Sequence, residues 1–179
     1  MCMSIIQKRR SIRKFLEKPV EGEKIDMLVE AALRSPSSRG LNPWEFIVVT
    51  EQGLLEKLSK AKQHGSQFLQ NAPLGIVVCG NSDTSDTWVE DTSIASIFIL
   101  LAAESMGLGG CWIQIRGRMY NDAKTAQEYI GQTLHIPENL KVESIIAVGY
   151  PDEKKSPHTK EELEYEKVYF NLYGALYKL

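Results

Sequence analysis

The sequence contains little that would mark a metal-binding, disulfide-bonded or secreted protein. Its 179 residues include only three cysteines, Cys2, Cys79 and Cys111, and their spacing matches no metal or redox motif. Cys79 and Cys111 lie in apolar, strand-like runs, where buried free thiols are common. A small, odd number of cysteines indicates a reducing compartment, so we expect a cytoplasmic protein. The three histidines lack the spacing of metal ligands, and we expect no metal site.

Neither sign of charge dominates, and no apolar run is long enough to cross a membrane. The 21 basic and 23 acidic residues give a net charge of −2, so nothing attracts nucleic acid or an anionic membrane in bulk. The most apolar stretch, residues 94–103, is far shorter than the roughly 20 residues that span a bilayer. Residues 1–11 lack the ordered regions of a secretory signal. We therefore expect no nucleic-acid or membrane partner.

Common nucleotide-binding and hydrolytic motifs are also missing. No GxGxxG follows a predicted strand, no GxxxxGKS or GxxxxGKT occurs, and no Ser-His-Asp set has local support. Catalysis by side chains alone is therefore poorly supported. If the protein is an enzyme, we expect its chemistry to come from a bound cofactor.

The most informative stretch runs from residue 91 to residue 116. Residues 94–103 are apolar almost all the way round, which is typical of a helix buried on every side. Asp91 is a plausible N-cap, and Gly107 or Gly109 can take the left-handed position that ends a helix. Residues 111–115 then predict a short buried strand. Such a helix forms either the core of the protein or the centre of a dimer interface.

The remaining patterns predict one domain over residues 1–179, with helices interleaved among strands. Residues 21–35 form a clear amphipathic helix that Pro36 stops. Further helices are predicted at 4–8, 54–61 and 121–134, and strands at 46–50, 74–80, 111–115 and 142–148. This alternation favours an α+β or α/β layered fold. The tail from Pro151 is charged and then rich in tyrosine, which suggests an arm lying over a partner subunit.

Two loops are candidate binding segments. The sequence RRSIRKF lies among six basic residues between positions 8 and 18. Composition alone favours a solvated basic turn, but arginine forks with a serine between them also suit a phosphate. The loop SPSSRGLNPW, residues 35–44, has the composition of a surface turn. Its position between a helix and a strand is one where ligand-binding groups often lie.

Taken together, these segments resemble the flavin-dependent nitroreductase family. The resemblance rests on RRSIRKF at 9–15, SPSSRGLNPWEFIVV at 35–49, NAPLGIVVCG at 71–80, the run from Asp91 through LLAA to GLGGCWI, and IPENL with IIAVGYP within 136–151. Their order and spacing cover nearly the whole chain. The resemblance implies an α+β layered fold with a central mixed sheet flanked by helices. It also implies a homodimer in which both chains hold each FMN at the interface, with a C-terminal arm reaching over the partner.

The resemblance also implies which residues bind FMN. Arg9 and Ser11 would contact phosphate and ribityl oxygens, and Arg13 would lie near the pyrimidine end, where a cation stabilises the charge of reduced flavin. The backbone amide of Gln114 would face flavin N5. The full implied set is Arg9, Arg10, Ser11, Arg13, Pro36, Ser37, Ser38, Gly40, Asn42, Gln67, Trp112, Ile113, Gln114, and His158 or Lys160 for the phosphate. Pro36, Ser37 and Ser38 of this set would lie against the flavin from the second subunit.

The implied activity is electron transfer from NAD(P)H through FMN to a small acceptor such as a nitroaromatic or a quinone. Two alternatives stay open: other flavin chemistry on the same fold, such as reductive dehalogenation or flavin fragmentation, and flavin binding or storage without turnover. Gly40 stands where the family often has Asn, so one ring hydrogen bond is expected to be missing. Residues 73–110 leave no room for the helical excursion of longer members, so we expect an open site. The acceptor and the choice between NADH and NADPH do not follow from the sequence.

Overall fold

Helices and strands alternate along the chain in the structure, a computed structural model that describes residues 2–177. The helices are α1 (Cys2–Lys8), α2 (Gly22–Leu33), α3 (Gln52–Ser59), α4 (Trp88–Ser105) and α5 (Ala126–Leu134). The strands are β1 (Trp44–Val49), β2 (Leu74–Asn81), β3 (Gly109–Gln114) and β4 (Leu140–Gly149). Short 3-10 turns lie at Ser38–Gly40, Gln67–Asn71, Lys160–Glu162 and Tyr165–Lys167. The α+β layered class predicted from the sequence is confirmed.

The sheet is antiparallel, where the sequence led us to expect a mixed sheet. Its order is β1-β2-β4-β3, and each neighbouring pair is antiparallel. Helix α4 connects β2 to β3, which run in the same direction, as in a crossover unit. However, β4 inserts between them and pairs with both, so the parallel strands never touch. A parallel pairing occurs only as an isolated bridge from Ser11 to Gly110, among the residues that the structure describes.

Two helical layers cover the two faces of the sheet. Side chains of α3 and α5, such as Leu55, Leu58 and Ile130, pack with Val77 and Ile145 on one face. The other face carries α2 and α4. There the buried cluster contains Leu28, Ile76, Ile99, Ala103 and Ile146 among others. Because both faces are covered, β2 and β4 are buried along nearly their whole length, which explains why β2 appears in the sequence as a continuous apolar run.

Helix α4 begins earlier than its predicted N-cap. The N-cap is Thr87, and Asp91 lies inside the first turn, so the prediction of Asp91 as N-cap is wrong. Its carboxylate is buried and accepts a hydrogen bond from a distant loop. The end of the helix is as expected: Gly107 has φ +75°, the left-handed conformation that stops a helix. None of the helices formed by residues 2–177 combines the length and apolarity that a bilayer crossing requires.

One face of α4 remains uncovered in the single chain. Ala95, Ile99 and Ala103 are buried against the sheet, whereas Ile97 and Phe98 are 46% and 37% exposed. The sequence predicted burial on every side, whereas this apolar face is exposed in the single chain. The C-terminal tail also exposes large apolar side chains, and Tyr173 is 91% exposed. The arm over a partner subunit therefore stays a prediction.

Candidate functional site

The basic segment, residues 9–14, is fixed along the open edge of strand β3. The amide of Ile12 donates to the carbonyl of Gly110 at 3.1 Å, and Ser11 bridges the same residue. The close approach requires a glycine at position 109, where a Cβ would lie 2.8 Å from the side chain of Ile12. The arginines on either side of Ile12 are therefore held at the edge of a rigid sheet.

A segment from the far end of the chain locks the basic segment in place. Lys155 Nζ donates to the carbonyl of Ser11 at 2.7 Å. The carboxylate of Glu153 accepts from the amides of Arg13 at 2.5 Å and Lys14 at 3.2 Å. The hydrogen bond from the Arg13 amide holds the pKa of Glu153 below its usual range. The sequence pointed to His158 or Lys160 as the C-terminal basic residue, whereas Lys155 is the lysine that contacts this segment.

Positive charge converges on the buried thiol of Cys111, which lies under the basic segment. Burial raises the pKa of the Cys111 thiol, while nearby Arg13, Lys155 and Arg9 act in the opposite direction. Glu153, which pairs with Lys155 at 3.4 Å, offsets part of this charge. The surface above Cys111 is therefore rich in positive charge. We call Arg9, Ser11, Arg13 and Lys155 the basic edge.

The far end of β3 presents a free backbone amide to the same edge. The Gln114 carbonyl accepts from Lys62 Nζ at 3.1 Å, so it faces away from β4. In a strand, the N–H and C=O groups of one residue point to the same side. The Gln114 amide therefore faces outward as well, as the backbone role predicted for it requires.

The side chain of Gln114 points elsewhere. It accepts from the indole nitrogen of Trp112 at 2.9 Å and donates to Glu143 at 3.2 Å. The carboxylate of Glu143 is 3% exposed and pairs with Arg116 at 2.7 Å. This network holds the side chains of Trp112 and Gln114 against the sheet, so Gln114 faces the open edge with its backbone and not with its side chain.

Lys62 is a candidate site residue that sequence reasoning missed. Its ammonium group is half-buried, and burial followed by the charge of Arg118 lowers its pKa. Among residues 2–177, no carboxylate forms an ion pair with it. A half-buried cation without a balancing anion suits a site that binds negative charge. No sequence motif marks Lys62, since its partner is a backbone carbonyl distant in the sequence.

The loop at residues 36–42 is held by three polar contacts. The Ser38 amide donates to Asp91 at 2.9 Å, Arg39 pairs with Asp86 at 2.5 Å, and the Ser37 hydroxyl contacts Asn42 at 2.7 Å. Arg39, Gly40 and Asn42 all have positive φ, at 55°, 65° and 48°. The loop is thus tightly wound, and its exposed residues include Pro36, Arg39, Gly40 and Asn42.

Within one chain, this loop and the basic edge lie at opposite corners of the sheet. They belong to β1 and β3, the two edge strands, which are separated by about 14 Å at the usual strand spacing. The end of β1 that follows the loop aligns with Lys141, whereas Gly110 aligns with Val148, roughly 23 Å further along β4. The two segments of one chain therefore cannot contact the same mononucleotide.

The remaining predicted residues lie apart from the basic edge or engage their own surroundings. Gln67 accepts from the amides of Gly65 and Ser66 at 2.8 and 3.2 Å, so its side chain closes its own turn. His158 pairs with Glu162 at 3.0 Å, and Arg10 donates to the Ser156 carbonyl. Lys160 is exposed in a 3-10 turn. Between residues 2 and 177, no cluster of three or more His, Cys, Asp or Glu side chains could hold a metal ion.

Comparison with known proteins identifies the family. The profile described as "Nitroreductase family" matches residues 6–65 and 51–150. An FMN-dependent nitroreductase structure from Clostridium difficile is 46% identical and has a TM-score of 0.94, over 96% of this chain and 99% of that one. A provisionally named NADH dehydrogenase/NAD(P)H nitroreductase from Archaeoglobus fulgidus is 39% identical over 158 residues, 86% of this chain and 87% of its own. The NADPH-flavin oxidoreductase of Vibrio harveyi is 32% identical, over 86% of this chain and 66% of its own.

The fold and these similarities define an oxidoreductase of the nitroreductase type. The chain belongs to the nitroreductase family, so the resemblance drawn from its segments is confirmed. No comparison tests the individual site residues, which remain predictions.

Proposed function

We propose that the protein is an FMN-dependent oxidoreductase that takes electrons from NAD(P)H and gives them to a small acceptor such as a nitroaromatic or a quinone. One observation carries the proposal. Arg9, Arg13 and Lys155 converge on an edge of β3 where the backbone amide of Gln114 is also free. The named nitroreductase and flavin oxidoreductase relatives support the same assignment.

The residues present suit FMN. A cationic edge favours a phosphate and the negative charge of a reduced flavin. Gly109 and Gly110 lie under the basic segment without side chains, which lets backbone groups approach closely. Bound here, FMN would supply hydride acceptance at N5 and electron transfer to the second substrate. Arg9 and Lys155 would hold the phosphate side, the Gln114 amide would donate a hydrogen bond at the reacting edge, and Arg13 and Lys62 would lower the cost of added negative charge.

The complete site is proposed to form in a homodimer. Helix α4 has 18 residues, so its ends lie about 27 Å apart. The 36–42 loop contacts its N-terminal end, and the basic edge lies near its C-terminal end. Antiparallel packing of the exposed α4 faces from two copies would bring the loop of one chain beside the basic edge of the other. Such an isologous arrangement produces two equivalent sites and covers Ile97 and Phe98.

A cytosolic location is part of the proposal. Cys79 and Cys111 are both free and buried, and burial raises the pKa of the Cys79 thiol to about 12. Such thiols need no oxidising compartment and are unreactive in the folded protein. The net charge of −2 supports small-molecule substrates over nucleic acid.

The test begins with the purified protein. We expect a yellow protein whose released chromophore has the mass of FMN, and anaerobic oxidation of NADH or NADPH that depends on an added nitroaromatic or quinone. Recovery of FAD, or a colourless protein that takes up no FMN, would contradict the assignment of cofactor. Tight FMN binding without turnover of any acceptor would support a flavin-binding or storage protein instead.

The dimer is tested separately. Light scattering should give the mass of two chains at micromolar concentration. Ile97→Glu places a charge on the exposed α4 face and should both dissociate the dimer and release FMN. Gln132→Glu offers a control, because Gln132 is exposed on α5, which covers the opposite face of the sheet, and the added charge there should leave the dimer intact. A monomer that retains FMN would contradict a shared site.

A further inference from the structure

Asp91 connects helix α4 to the 36–42 loop from inside the protein. The residue is 2% exposed, and its Oδ1 accepts from the Ser38 amide at 2.9 Å. Its Oδ2 lies 3.4 Å from the hydroxyl of Thr87. The other contact between the loop and this region, Arg39 with Asp86, is on the surface and half or more of each side chain is exposed. Of these two contacts with the 36–42 loop, the hydrogen bond to Asp91 is therefore the buried one.

Helix capping does not explain this carboxylate. Thr87 is the N-cap of α4, and Asp91 lies within the helix rather than before it. Burying a carboxylate is costly unless it is hydrogen-bonded, so its position needs a compensating contact. That contact is the charge-assisted bond to the Ser38 amide, which also benefits from the positive end of the helix dipole. The bond fixes the backbone of the loop where its tight winding begins.

We propose that Asp91 is a positioning residue for the FMN site of the partner subunit. The inference rests on the proposed function, in which the loop of one chain completes the site formed by the basic edge of the other. Asp91 itself does not touch the cofactor. Asp91 holds Ser37 and Ser38 in the conformation that receives FMN. Loss of the Asp91 carboxylate should therefore weaken FMN binding at the site of the partner subunit.

Three homodimeric variants separate this role from a general effect on folding. Asp91→Ala removes the acceptor and should weaken FMN binding by about 10-fold or more, as expected for loss of a charged hydrogen bond. Asp91→Asn keeps an oxygen for the Ser38 amide and should restore most of the affinity. Asp83→Asn removes an equal charge from the exposed turn before α4, away from the helix face proposed to pair, and this control should bind FMN like the wild type. Equal affinities for all three variants would overturn the proposal.

A mixed dimer tests the action in trans. One chain carries Arg9→Ala and the other Asp91→Ala, with different tags so that only the heterodimer is purified. If the Asp91 loop of one chain completes the site on the basic edge of the other, both substitutions affect the same FMN site. The second FMN site then contains neither substitution. We expect one FMN bound per dimer with wild-type affinity and a second bound much more weakly. Two equally weakened sites would mean that Asp91 acts within its own chain or through general destabilisation, and would overturn the inference.

The design also separates this inference from the proposed function. Wild-type dimers without affinity for FMN would overturn both. Tight wild-type binding together with two weak sites in the mixed dimer would overturn only the role of Asp91. If the Asp91→Ala chain does not form dimers, the Asp91→Asn chain replaces it. The smaller loss of FMN affinity caused by Asp91→Asn must then again be confined to the site that carries Arg9→Ala.

Discussion

The ammonium group of Lys62 donates to the backbone carbonyl of Gln114 at 3.1 Å, on the open edge of β3. This contact joins the loop after α3 to the strand whose free amide is proposed to face the flavin. It also brings an unneutralised positive charge to that amide. The two groups together form a local field that favours negative charge at the edge of β3.

Removing the charge of Lys62 should therefore make FMN harder to reduce. We expect Lys62→Met to lower the midpoint potential by about 30–65 mV, which corresponds to about 1.5–3 kcal/mol for a two-electron couple. Binding of oxidised FMN should change little. Lys60→Met is the matched control, because Lys60 is exposed and pairs with Glu56 on the surface of α3. Spectroelectrochemical titration of the three proteins gives the result, and an unchanged potential in Lys62→Met would rule out this role.

The side chain of Gln114 is expected to matter for stability and not for hydride transfer. Gln114→Ala keeps the outward amide but removes one donor to the buried carboxylate of Glu143. We expect a loss of about 1–3 kcal/mol in unfolding free energy, with NAD(P)H oxidation largely retained. Denaturant unfolding and single-turnover kinetics measure the two quantities. A folded, FMN-bound Gln114→Ala protein that fails to accept hydride would assign the chemistry to the side chain.

Much of the fold could be predicted because buried strands and helices have recognisable patterns of apolar residues in the sequence. The strand predicted at 74–80 is observed at Leu74–Asn81, and the strand predicted at 142–148 lies within Leu140–Gly149. The order of strands could not be predicted in this way. Both β2 and β4 are buried on both faces, and nothing in that pattern indicates that β4 lies between β2 and β3.

The sequence pointed to candidate site residues where they form a local motif. It gave no sign of residues that join the site through contacts with distant parts of the chain. Arg9, Ser11 and Arg13 form a local cluster, for which composition favoured a solvated basic turn and left a phosphate site as the alternative. Lys62 and Lys155 join that region through backbone carbonyls of Gln114 and Ser11, far away in the chain. Asp91 was misread for the same reason, because a carboxylate near a helix start suits an N-cap as well as a tertiary contact.

The guanidinium of Arg13 is expected to tune the flavin more than it anchors it. Its charge lies 5.9 Å over the ring of Phe68 and close to Cys111, while its amide is held by Glu153. Arg13→Ala keeps that amide contact, so the basic segment should stay in place. We expect reduced FMN to be destabilised by about 1.5–3 kcal/mol more than oxidised FMN. Loss of FMN without a change in potential would assign Arg13 to the phosphate instead.

Gly109 is expected to be intolerant of a side chain. A Cβ there would lie 2.8 Å from two atoms of Ile12, so the basic segment would have to move away from β3. Gly109→Ala should cost about 1–3 kcal/mol of stability, as overpacking of a core usually does, and should release FMN. Gly53→Ala is a control, since its nearest neighbour would be 3.6 Å away and alanine favours the helix. Thermal unfolding and flavin retention should separate the two variants.

The carboxylate of Glu153 is expected to make FMN binding sensitive to acid. Its pKa is lowered, first by the hydrogen bond from the Arg13 amide and also by Lys155. A carboxyl group whose pKa is lower in the folded state stabilises that state above the unfolded pKa, and the contribution disappears as pH falls through the folded pKa. Glu153 should therefore add no pH dependence to FMN affinity between pH 7 and about pH 5, and its contribution should be lost only below about pH 4, where an ordinary glutamate would already be protonated.

Replacing Glu153 by glutamine tests this directly. The Glu153→Gln side chain can still accept from the Arg13 amide, but it carries no charge and cannot titrate. We expect weaker FMN binding at pH 7, by severalfold, and a flatter dependence of affinity on pH between about 5 and 3.5. Glu17→Gln removes an exposed carboxylate near the same segment and should keep the wild-type profile. If Glu153→Gln also kept that profile, the acid sensitivity would have to arise from other carboxylates, and the segment would be held chiefly by Lys155 and the strand.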